Sequence, residues 1–93
     1  MESPFRELRN RLGLTQPEMA AIAGVGQSHI SEVENGLAAL GDKLEAFLEG
    51  ISEDVATLKE RHDRFMQERS KELKEGLLAK IAVPDEGGES EGG

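Results

Sequence analysis

Ninety-three residues, 37% of them apolar and 32% charged, make one small domain of globular composition without the length for a second core. The absence of cysteine excludes a disulfide framework, a thiolate metal site and a cysteine nucleophile, and it favours a reduced, cytoplasmic setting. The formal net charge of -8 weighs against a polyanionic partner, and no apolar run approaches the roughly 20 residues of a membrane span, so neither a transmembrane helix nor an ordinary signal peptide is expected.

With three Phe and no Trp or Tyr, the core must be mainly aliphatic. Ser3-Pro4 reads as a helix start, because a serine can cap the free N–H groups and proline presets the first torsion. Phe5, Leu8 and Leu12 then share one face and Gly13 can close the turn, which predicts a helix over about 4–12. Thr15 and Glu18 form a capping box, with Leu14 and Met19 placed as its hydrophobic staple, so a second helix is expected over 16–23 with Met19, Ala20, Ile22 and Ala23 as its apolar face. Gly24-Val25-Gly26 can only turn. A third helix opens at Gln27, buries Ile30 and Val33, and ends at Asn35-Gly36.

Asp42 and Glu45 resemble another capping pair and predict a helix over about 43–50 with Leu44, Phe47, Leu48 and Ile51 inward, although Leu37 and Leu40 continue the spacing back towards Ala38. Ser52-Glu53-Asp54 then reads as the start of a long helix running from 53 to about 82. Its stripe of Val55, Leu58, Phe65, Met66, Leu73, Leu77, Leu78 and Ile81 is interrupted by His62, Arg69 and Ser70, an imperfect heptad. The tail over 83–93, ending in DEGGESEGG, is acidic and without apolar residues in its last nine, and is expected to be disordered.

Two short helices across a glycine turn form a helix-turn-helix. Within LTQPEMAAIAGVGQSHISEVENG the residues resemble the Cro/phage-repressor (XRE-like) family position by position: Gln16 opening the first motif helix, Ala20 where the helices touch, Gly24 in the turn, and Val25, Ile30 and Val33 buried. The resemblance covers residues 5–51 and implies an all-α, lambda-repressor-like domain of four to five helices. The expected organisation is a DNA-binding domain over 1–51, a long dimerisation or packing helix over 52–82, and the tail over 83–93.

The family inserts the start of its second motif helix into the major groove. Carried over, Gln27, Ser28 and Glu32 become base readers, with His29 and Ser31 near the groove and Gln16, Asn35 and Arg11 as phosphate contacts. Arg9 and Glu34 stand where the family places a structural ion pair. Residues 5–36 hold three arginines against four glutamates, so only Arg6 and Arg11 would be left for phosphate, and the loop LAALG is apolar where many relatives are basic. No metal set, catalytic pair or cofactor motif is present, and no enzyme is expected. The expected partners are double-stranded DNA and a second copy joined through Phe65, Met66, Leu73, Leu77 and Ile81, giving a repressor on a palindromic site. The competing reading is a protein-interaction module on the same fold, such as an antitoxin-like partner or a regulatory adaptor.

Overall fold

The first two helices start where local capping chemistry places them. In the computed structural model, which describes residues 3–51 and 53–82, α1 spans Pro4–Arg11 and Ser3 Oγ accepts the Arg6 N–H at 3.3 Å. α2 spans Gln16–Ala23 behind a reciprocal capping box, with Glu18 N–H donating to Thr15 Oγ1 at 3.2 Å and Thr15 N–H to Glu18 Oε1 at 2.9 Å. It ends at Gly24, whose φ of +75° suits glycine. α3 spans Gln27–Glu34 and closes through Asn35 and a left-handed Gly36. The fold is all-α: α4 spans Asp42–Gly50, and α5 is one continuous helix of 28 residues, Val55–Ala82.

The later helix starts differ from the sequence expectation. Asp42 is not a cap: it is the first residue of α4, and the capping position belongs to Gly41, which lacks a side chain to offer. α5 begins at Val55 rather than 53, because Asp54 itself is the cap, taking the Thr57 N–H at 3.1 Å and the Thr57 hydroxyl at 2.8 Å. These two bonds hold the Asp54 carboxyl below its ordinary pKa. Ser52 and the tail over 83–93 lie outside the described residues.

Phe5 and Leu8 of α1, Met19 and Ala20 of α2, Ile30 and Val33 of α3, Leu40, and Leu44 and Leu48 of α4 form the core, which Val55 and Leu58 of α5 complete. Ile22 and Ile51, expected inside, are 55% and 40% exposed. Both sit at element edges where spacing alone does not fix the buried face. On α5, His62 does not interrupt the inward stripe but belongs to it: 58, 62 and 65 keep the three- and four-residue spacing, and His62 is 1% exposed. One of its ring nitrogens is satisfied there, Nε2–H donating to the Ala38 carbonyl at 2.8 Å, while among the described residues Nδ1 is buried without a hydrogen-bond partner. Phe65 is likewise buried within its own chain, and so is not open to a second copy as expected. From Ser70 to Ile81 every side chain is exposed, and this arm makes the molecule long, 56 × 23 × 21 Å.

Candidate nucleic-acid interface

One buried carboxylate fixes how α3 meets the two helices before it. Glu34, 2% exposed at the last position of α3, accepts from Nε and Nη2 of Arg9, from Arg6 Nε at 3.3 Å and from Gln16 Nε2 at 3.0 Å. Arg9 also donates through Nη1 to the Leu14 carbonyl at 2.7 Å, so the same guanidinium ties down the loop before α2. Burial alone would push the Glu34 carboxyl up; the hydrogen bonds from Arg9, Gln16 and Arg6 outweigh it and hold the group below its ordinary value. The same pairing raises the Arg9 guanidinium further above its already high value. The expected Arg9–Glu34 pair is therefore present, but it is part of a cluster of four side chains.

With Ile30, Val33 and Glu34 turned inward, α3 presents the opposite side to solvent. Gln27, Ser28, Glu32 and Asn35 are exposed and Ser31 is half-buried. Among the described residues, the side chains of Gln27, Ser28 and Glu32 have no hydrogen-bond partner, while Asn35 Nδ2 lies 3.5 Å from Ser31 Oγ. Gly26 caps α3 without a side-chain bond, which leaves the first N–H groups of the helix open to an anion. α4 starts in the same way behind Gly41, and the two uncapped starts border one open hollow of about 440 Å³. Lys43 lies at its edge, its Nζ 3.3 Å from the Gly24 carbonyl.

Three expected contacts are engaged elsewhere. Gln16 gives its amide to Glu34. His29 Nε2 donates to the Leu40 carbonyl at 2.8 Å and so braces the loop after α3. Arg11 forms a two-pronged pair with Glu53 at 3.2 and 3.0 Å, which raises its own pKa and lowers that of Glu53. Together with Arg6 on Glu34, this corrects the expected count of free cations: every arginine of residues 5–36 has a carboxylate partner. From later elements, Lys43 reaches the Gly24 carbonyl in the turn before α3, and Arg69 donates to the Asn35 carbonyl at the end of α3 at 3.2 Å. No local signal marks either, since both depend on how distant helices pack.

Among the described residues no cluster of three His, Asp or Glu is placed to hold a metal ion, and no helix is long and apolar enough to cross a membrane. A family model described as helix-turn-helix matches residues 5–52. No curated protein and no solved structure matches the chain. That match takes in α1 to α4 and about half of the sequence, including the Glu34 cluster and the open side of α3, and the chain belongs to the helix-turn-helix family of Cro/phage-repressor (XRE) type, a family of DNA-binding regulators.

Proposed function

We propose that the protein is a cytoplasmic transcriptional repressor that binds a palindromic duplex as a homodimer. Gln27, Ser28 and Glu32 read base edges in the major groove: glutamine can bond adenine bidentately, glutamate accepts from the cytosine amino group, and serine bonds either partner. The observation that carries this reading is the unpartnered polar side of α3, exposed beside its open N-terminus. Ser31 and Asn35 extend that side, and His29, Gln16 and Arg11 flank it as backbone contacts once their present partners give way. Lys43 adds a cation at the hollow between the starts of α3 and α4. The second copy docks on the arm of α5, where Leu73, Leu77, Leu78 and Ile81 are 48–60% exposed, and so brings two reading helices to half-sites about 34 Å apart.

One observation favours a second reading, a protein-interaction module that keeps the fold: the arginines of residues 5–36 are all paired with acids, which weakens any hold on phosphate. Selection from a pool of random duplexes at low and moderate salt separates the two. Enrichment of a palindrome, lost on Gln27→Ala and kept on removal of residues 83–93, supports the repressor. No enrichment, with a protein that co-purifies through the arm and is lost on Leu77→Glu, supports the module.

A further inference from the structure

α3 is only eight residues long: Ile30 and Val33 anchor its middle and the Glu34 cluster ties its last residue to α1 and α2, and a second hold acts on the segment that follows. The segment that leaves it, Asn35 to Ala38, is gripped from α5 at three positions about a turn apart, of which His62 and Phe65 are buried and Arg69 is half-buried with its Nη1 3.7 Å from Glu72 Oε1. Arg69 Nε donates to the Asn35 carbonyl at 3.2 Å, the Phe65 ring lies so close to Gly36 that an added Cβ would stand 2.9 Å from it, and His62 Nε2 donates to the Ala38 carbonyl at 2.8 Å. All three residues lie beyond the stretch matched by the family model, which ends at residue 52. Base reading needs side chains held to within about half an ångström, and the hold from α5 on the exit of α3 adds to the one that Glu34 gives its last residue.

We propose that His62, Phe65 and Arg69 are positioning residues for DNA reading: by clamping the exit of α3 they set the angle at which Gln27, Ser28 and Glu32 are presented. This rests on the DNA-reading role of α3 proposed above. None of the three needs to touch DNA. The clamp acts through hydrogen bonds and contact, not through the charge of Arg69, and this separates it from a phosphate contact. Glutamine makes the distinction testable, because its Nε2 lies the same number of bonds from Cβ as Arg Nε and His Nε2, and it carries no charge.

The experiment measures the affinity of the full chain for the duplex it selects and for random duplex, across salt, with Arg69→Ala, Arg69→Gln, His62→Leu and His62→Gln, well below each melting temperature. Arg69→Ala and His62→Leu should lower the ratio of selected to random affinity about tenfold, as for one lost hydrogen bond to a charged or buried group, with random-duplex affinity and its salt slope unchanged. The glutamine variants should stay within about twofold of wild type. If His62→Leu fails to fold, the Arg69 pair decides alone. A wild-type ratio in Arg69→Ala overturns the proposal, and so does Arg69→Gln falling with Arg69→Ala while the salt slope flattens, which would mark a phosphate contact. Failure of the wild-type chain to select any duplex overturns the reading role of α3 and this inference with it, an outcome distinct from selection that the variants leave untouched.

Discussion

Arg9 on α1 and the buried Glu34 at the end of α3 form an ion pair in which one half-buried guanidinium also holds the Leu14 carbonyl, so a single side chain joins three segments of the domain. Removing Arg9 strands a carboxylate that only Arg6 and Gln16 still serve. Arg9→Ala should therefore destabilise the fold by about 3 kcal/mol, measured by urea unfolding at neutral pH.

The same cluster predicts a direction with pH. The Glu34 carboxyl sits below its ordinary value in the folded chain, so its contribution is fully present above the unfolded-state pKa and is lost as pH falls through the lowered folded value. Unfolding free energies should fall from neutral pH into the acid range less steeply for Glu34→Gln than for wild type. Parallel curves would refute the assignment.

Gly36 and Gly24 share a φ of +75° but not an environment. A Cβ at Gly24 meets nothing within 4 Å, whereas at Gly36 it meets the Phe65 ring at 2.9 Å and the Arg69 stem at 3.0 Å. Gly24→Ala should cost only the left-handed strain, about 1 kcal/mol, and Gly36→Ala at least about 1 kcal/mol more. Equal losses in denaturant titrations would mean that α5 does not press on the end of α3.

Glu53 shields Arg11 on the surface. Such exposed pairs add little stability, so Glu53→Gln should leave the melting temperature unchanged. It should nevertheless free a cation, raising affinity for random duplex at low salt and steepening the salt slope by about 0.9 if Arg11 then meets a phosphate.

Leu77 is 58% exposed in the middle of the arm. Leu77→Glu should change monomer stability by less than about 0.5 kcal/mol while abolishing concentration-dependent mass in light scattering. A wild-type chain that stays monomeric at every concentration, with and without duplex, would remove the arm as a dimer contact.

What could be read in the sequence was local. The Thr15–Glu18 box and the Ser3 cap fixed the starts of α2 and α1 because their partners lie three residues away, and the spacing of Ile30 and Val33 gave the inward face of α3. Arg9 with Glu34 was legible only through the family resemblance. The enlargement of that pair by Arg6 and Gln16, the capture of Arg11 by Glu53, and the place of His62 in the core were not legible, since each joins residues 18 to 42 positions apart, or depends on a carbonyl that no sequence pattern marks. The mistaken starts of α4 and α5 have another cause: acidic residues suit both the cap and the first turn, and composition does not separate those positions.

Because α5 is unbroken, Arg69, Leu73, Leu77 and Ile81 follow one another at four-residue steps, each turned about 40° from the last, so the apolar row of the arm begins beside the face that grips α3 and has wound about 120° from Arg69 by Ile81. The helix thus works as a keyed shaft. One residue inserted between Arg69 and Leu73 would advance the arm by 1.5 Å but turn its stripe by about 100° relative to the domain. Two copies joined through such a shaft would have the rotational phase of their reading helices set by the number of residues in α5, in the same way that the phase of two half-sites is set by the number of base pairs between them.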